Sequence, residues 1–233
     1  MIFDPVLLII AIIFAAIGWL VSRRLKSRFK EYAQVPIASG LSGKEVAEKM
    51  LRENNIHDVQ VVSVAGQLTD HYNPQKKTVN LSPDVYSGSN VASAAVAAHE
   101  TGHAIQHATA YGFLHLRSSM VPVVSLSSRM LSWVFIASFF MAFSFQMFSY
   151  DFVLWLVIIL QGVVTLFSFI TLPVEIDASN RALAWLQGSR VTGAEHDKAQ
   201  NALKWAAMTY VVAALGSLAV LLYYIMILLG RRD

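Results

Sequence analysis

Most of the chemistry in this chain is concentrated in ten residues, Ala98-His99-Glu100-Thr101-Gly102-His103-Ala104-Ile105-Gln106-His107. They contain H-E-x-x-H. On a helix, positions i and i+4 lie on one face, one turn apart. The imidazoles of His99 and His103 can therefore reach one zinc ion. Glu100 projects near the open side of that metal, where it can take a proton from zinc-bound water and return it to a leaving amine. Zinc lowers the pKa of such a water to about 7, so a hydroxide nucleophile is available near neutral pH. A solvated His/Glu/His helix face is the alternative reading, and two features oppose it. The stretch Val91–Ala98 is small and apolar, as suits a buried, closely packed helix. Gly102 admits something close to that helix, at a cost of about 1 kcal/mol in propensity.

Catalytic zinc takes three protein ligands. The long form H-E-x-x-H-x-x-G-x-x-H would place Gly at 106 and His at 109, and this chain has Gln106 and Thr109. His107 lies about 12 Å along the helix axis from His99. The two cannot share an ion, so His107 reads as a helix-surface or supporting residue. The third ligand must come from elsewhere, and a Glu on a later helix is the usual alternative. The best candidate is Glu175, in Leu172-Pro-Val-Glu-Ile-Asp-Ala-Ser-Asn-Arg-Ala182.

The elements that must position these groups are set by a membrane. Of 233 residues, 55% are hydrophobic and 14% charged, too apolar a mix for a soluble domain of this size. Four stretches are long enough to cross a bilayer: Pro5–Val21, Met130–Tyr150, Phe152–Val174 and Ala206–Gly230. Asp151 alone separates the second from the third, which predicts a tight helical hairpin. The first stretch has no basic n-region and carries Asp4, so it reads as an uncleaved anchor. Cysteine is absent, which excludes a disulfide framework and a thiolate metal site and fits a reducing compartment. The net charge of +3 does not point to nucleic acid, because the basic residues sit beside the spans.

Arg23, Arg24, Lys26, Arg28 and Lys30 follow the first span directly. By the positive-inside rule the N-terminus is outside and residues 23–120 are cytoplasmic. The hairpin goes out and returns, so residues 175–205 are cytoplasmic too. That brings Glu175 back to the side of His99 and His103. Arg231 and Arg232 after the fourth span run weakly against the rule.

Along the chain, Ser42-Gly-Lys-Glu45 reads as a capping box opening a helix to about Asn54, with Val46, Met50 and Leu51 inward. Val59–Val64, Gln67–Tyr72 and Thr78–Ser82 read as three strands of a small antiparallel sheet. An edge strand of such a sheet can hold an extended substrate by backbone pairing, and the third strand is the candidate. His71 and Tyr72 are candidate oxyanion donors. Arg117 is a candidate for the same role, for pairing with Glu175 or Asp177, or for lipid headgroups. Thr192-Gly-Ala-Glu195 reads as a second capping box, and Gly188 as the end of the Glu175 helix.

The chain resembles the YugP-like neutral zinc metallopeptidases of bacterial membranes nearly end to end. The resemblance rests on Asp70-His-Tyr-Asn-Pro74, Leu81-Ser-Pro83, His99–His107, Leu116-Arg-Ser118 and Leu172–Ser179. The layout is also similar to HtpX-type and CAAX-prenyl proteases. The resemblance implies one zinc per chain held by His99, His103 and Glu175, with Glu100 as general base and then acid. One position departs from it. The HtpX-type pattern around the third ligand is E-x-x-x-D, whose Asp orients a zinc-binding imidazole. Here Ser179 stands four after Glu175, and the acid is Asp177, about 200° round a helix from Glu175. Ser179 or Asn180 could take that orienting role, or Asp177 if the helix starts late.

The expected protein is mainly α and integral to the bacterial inner membrane. It has about four transmembrane helices and a small cytoplasmic α+β zincin-like metallopeptidase domain. The expected division is an anchor (1–22), an α+β lobe (23–120), a hairpin (121–174), cytoplasmic helices with the third ligand (175–205) and a last span (206–233). The expected function is a zinc endopeptidase acting on membrane or membrane-proximal proteins or peptides. A catalytically silent zinc-site scaffold that binds a partner protein is the rival, and an intact Glu100 speaks against it. A metal carrier would need polar or ionisable groups along several spans. Gln146 and Gln161 are the prominent polar groups in these.

Overall fold

The computed structural model describes residues 4–141 and 149–230. In chain order the elements are α1 (Pro5–Tyr32), α2 (Gly43–Glu53), β1 (Gln60–Ser63), β2 (His71–Asn73), β3 (Thr78–Leu81), α3 (Pro83–Ser87) and α4 (Val91–Ala108). Then come α5 (Gly112–Met141), α6 (Tyr150–Gly188), a single 3-10 turn (Gly193–Glu195) and α7 (His196–Leu229). The protein is mostly helical with one small sheet, and it divides into two compact units. One comprises Met1–Leu20, Leu116–Leu172 and Thr209–Asp233, and the other Val21–His115 and Pro173–Met208.

The first unit is apolar on its outside. Ile9, Trp19, Trp133, Phe152, Trp155, Leu222 and Met226 are all exposed, a surface suited to lipid rather than water. Among the described residues, four helices are long and apolar enough to cross a membrane: Pro5–Tyr32, Gly112–Ala137, Tyr150–Gly188 and Gly193–Leu229. Leu131, Leu154, Val157, Leu160 and Tyr224 form its small core. Gln161 is satisfied internally: its Nε2 donates to the Ser217 carbonyl at 3.2 Å, and Thr165 Oγ1 lies 2.8 Å from Ser217 Oγ. Gln146 lies outside the described residues. Asp151 does not separate two spans, as the hydropathy reading expected. It sits in the first turn of α6, where Ser149 Oγ accepts the Phe152 N–H at 3.3 Å. A carboxylate is favourable at a helix N-terminus, so Asp151 helps to start α6. The second apolar helix also begins well before Met130, at Gly112.

In the second unit, α2 is opened by the expected capping box. Ser42 Oγ accepts from the Glu45 amide at 3.3 Å, and Glu45 Oε2 accepts from the Ser42 amide at 2.7 Å. Val46, Met50 and Leu51 are buried. The sheet is mixed, not antiparallel. Its order is β1-β3-β2, with β1 parallel and β2 antiparallel to β3. The second strand starts at His71 rather than Gln67. Residues 64–70 loop across the end of β3 instead, with Gly66 at φ 112° and Leu68 at φ 58°. Asp70 Oδ1 then accepts from the Ser82 amide at 2.7 Å, pinning β2 along the far side of β3. The third strand is therefore central, with Val79 and Leu81 fully buried, and cannot be the edge that was expected to hold substrate. The edges are β1 and β2.

Thr192 does not cap a helix either. It is buried, in helical backbone conformation, with no side-chain capping bond, and Glu195 pairs with Lys198 instead. The long helix α7 starts one residue later, at His196. Gly188 ends α6 as expected.

Helix α4 is capped by Asn90, whose Oδ1 accepts from the Ser93 amide at 2.9 Å, and is buried from Val91 to Ala98. The close approach anticipated at Gly102 is made by α6. A Cβ at residue 102 would lie 2.6 Å from the Ala178 carbonyl oxygen. The obstacle is backbone, so one helix must shift. Gly102→Ala gains about 1 kcal/mol of helix propensity but incurs about 1–3 kcal/mol of overpacking. Net destabilisation is expected in detergent-solubilised protein, read from its unfolding midpoint. A stabilised variant would contradict the contact.

Candidate metal centre

Helix α6 presents Glu175, Ala178, Ser179, Ala182 and Leu186 at helical spacing, and all five are buried. The small residues in this stripe let α6 lie against α4. Glu175 is thereby brought beside the H-E-x-x-H turn. Its Oε2 is 3.4 Å from His99 Nε2 and 3.6 Å from His103 Nε2. The three donor atoms all lie within 4.8 Å of one another. A tetrahedral zinc with bonds of about 2.0–2.1 Å has ligand–ligand edges of about 3.3 Å. The two distances from Glu175 are close to such an edge, as ligands of one ion require.

The far sides of both imidazoles are also occupied. His103 Nδ1 is 3.0 Å from Gln106 Oε1. Gln106 Nε2 donates to the Val174 carbonyl at 2.7 Å and to Asp177 Oδ2 at 2.8 Å. Both amide hydrogens are committed to α6, so Oε1 must face His103 and Nδ1 must carry the proton. That leaves the Nε2 lone pair directed at Glu175 and a shared ion. Arg181 Nε donates to the same Asp177 oxygen at 2.6 Å and holds it in place. On the other imidazole, His99 Nδ1 lies 3.1 Å from Ser179 Oγ. The orienting task of one Asp in the E-x-x-x-D pattern is here divided. Ser179 serves His99, while Asp177 reaches His103 through Gln106. Asp177 does so without a late helix start, because Gln106 bridges to it. Asn180 is exposed and takes no part.

Gln106 was missed in the sequence. It occupies the position where the long motif would have glycine, and it is completely buried. The available signal was an amide one turn beyond His103 on the same helix face.

Burial alone would push His103 toward the neutral form. The Glu175 and Glu100 carboxylates, with Gln106, outweigh it and raise the His103 pKa above the usual imidazole value. Glu100 is held by the edge strand: its Oε2 accepts the Tyr72 amide at 3.1 Å. The Tyr72 hydroxyl lies 2.8 Å from His107 Nδ1. Burial, then the Asp58 carboxylate, raises the Tyr72 phenol above its ordinary value, so it stays a donor. His71 is exposed, with Nδ1 2.7 Å from the Thr69 carbonyl. Arg117 belongs to the other unit, on α5. Thus Glu100, Tyr72, Asp177 and Ser179 gather with the three candidate ligands, whereas His71 turns to its own loop.

Residues 7–229 match the family described as "putative neutral zinc metallopeptidase". The chain belongs to that family. It is also 39% identical over 211 residues to the "putative membrane protease YugP" of Bacillus subtilis (strain 168), covering 90% of this chain and 91% of that one. No solved structure matches it. A zinc metallopeptidase family and a His–His–Glu cluster of zinc-like spacing agree on the metal.

Outer partners of metal-binding imidazoles commonly contribute 10–100-fold in affinity. Gln106→Leu is expected to weaken zinc binding by about that factor, measured by chelator competition. Unchanged affinity would remove Gln106 from the centre. Protons compete with zinc for His103, and a raised pKa means they compete at higher pH. Zinc affinity should therefore fall as pH drops from about 8 to about 6. A flat profile over that range would contradict the charge arrangement.

Proposed function

We propose that this protein is a membrane-embedded zinc endopeptidase that cleaves membrane or membrane-proximal polypeptides. The observation that carries the reading is the convergence of His99 Nε2, His103 Nε2 and Glu175 Oε2 beside the Glu100 carboxylate. A zinc ion held there supplies a Lewis acid for a peptide carbonyl and brings the pKa of a bound water to about 7. Glu100 takes the proton of the attacking water and delivers it to the leaving amine. Gln106 holds the His103 imidazole in the tautomer that leaves Nε2 free, and Ser179 holds the orientation of the His99 ring. Asp177, held by Arg181, keeps the Gln106 amide from turning over.

The edge strand suited to aligning a substrate is β2. The Tyr72 N–H points away from β3, and in an antiparallel ladder the carbonyl of that residue points the same way. A substrate strand laid along β2 would find that carbonyl as an acceptor. The Lys and Arg beside the spans support a multi-pass inner-membrane protein with its site on the cytoplasmic side. Substrates would then be segments at the cytoplasmic membrane surface, and no nucleic acid is involved.

The decisive comparison is Glu100→Gln against the parent in detergent, with zinc content and casein cleavage measured together. Both proteins should hold about one zinc per chain. Cleavage should fall by at least about 100-fold in the variant. Equal cleavage by both would sink the mechanism. Zinc in both with cleavage in neither would favour the catalytically silent scaffold.

A further inference from the structure

His107 is not needed as a ligand, yet it is not an idle surface histidine. Its Nδ1 receives the Tyr72 hydroxyl at 2.8 Å, with ring centroids 5.8 Å apart. Beside this pair the Asp58 carboxylate, which acts on the Tyr72 phenol, is itself paired with Lys77. The same tyrosine gives its main-chain N–H to Glu100. Glu100 and His107 are two turns apart on α4, with His103 between them. Tyr72 thus lies along the face of α4 that carries the general base, fastened at both ends.

We propose that Tyr72 and His107 act together as positioning residues that aim the Glu100 carboxylate; the proposal rests on Glu100 being the general base. Glutamate has three side-chain torsions, and a carboxylate left to itself samples many orientations. An amide fixed in a strand selects one of them. That amide is only as fixed as β2, a strand of three residues paired on one side only. The hydroxyl–imidazole bond supplies the missing tie on the other side. It also accounts for the phenol, which the sequence offered as an oxyanion donor. The hydroxyl is directed one turn past His103, to a partner that is not one of the three candidate ligands.

Three variants test the pair: Tyr72→Phe, His107→Ala and the two combined. Each single change should lower kcat by about 10- to 100-fold, the scale of a slight misplacement of a catalytic group. KM should stay within about two-fold, with zinc content equal to the parent. The double variant should be no worse than either single, because one contact is being removed. His107→Gln, which keeps an acceptor, should recover most of the loss. Hydrogen exchange of the Tyr72 amide gives a readout independent of turnover. Protection should be high in the parent and fall at least about ten-fold in either single variant. Additive losses, a raised KM with kcat intact, loss of zinc, or unchanged amide protection would each overturn the proposal. If the parent does not cleave peptides at all, the peptidase reading fails by itself, and unchanged exchange at Tyr72 still separately decides against the tie.

Discussion

The metal centre depends on two helix backbones touching where no side chain stands between them. At Gly102 the missing Cβ lets the Ala178 carbonyl come against α4, and every later contact uses that proximity. Glu175 and Ser179 flank Ala178 on α6 and meet His103 and His99, which flank Gly102 on α4. Gln106 reaches the α6 main chain at Val174 from the next turn. Separating the axes by the width of one methyl group would lengthen all of these contacts together, and hydrogen bonds weaken steeply beyond their usual lengths.

Such a centre carries an electrostatic cost that its surroundings must offset. Glu175 is 2% exposed, and a buried carboxylate is tolerated only when paired or bound to metal. Two imidazoles beside it meet part of that need, and a zinc ion held between them would meet the rest. The outer layer is arranged in the same spirit. Asp177 receives both an amide hydrogen and the Arg181 guanidinium, so the negative charge nearest Gln106 is itself balanced.

Much of this was legible in the sequence, for reasons that are physical. His99, Glu100 and His103 are neighbours on one helix, so local geometry suffices to associate them. Glu175 was singled out as a Glu on a later helix, and the span count allowed it, since an even number returns the chain to the same side. The Ser42 capping box and the end of α6 at Gly188 are also local. What escaped was non-local or ambiguous in type. The order of three very short strands is set by Asp70 reaching Ser82, a contact that no periodicity encodes. Thr192 has a capping sequence, but burial in helical conformation overrides it. Gln106 looked like a failed glycine because its role requires α6, far along the chain, to supply the acceptors. The apparent break at Asp151 came from reading a charge as a loop when it suits a helix start.

The two halves of the centre are remote in the chain: Gln106 and Asp177 lie 71 positions apart. Everything between them is α5, α6 and the link that joins these helices. During synthesis the histidine pair emerges first and stays incomplete until α6 has been made and its far end has met α4. Closing a loop of that length costs on the order of 4 kcal/mol in chain entropy, which helix packing must supply. A nascent chain therefore carries histidines without their carboxylate, and the cluster is complete only once the chain has folded. The order of segments along the chain works as an inbuilt delay in assembling the cluster.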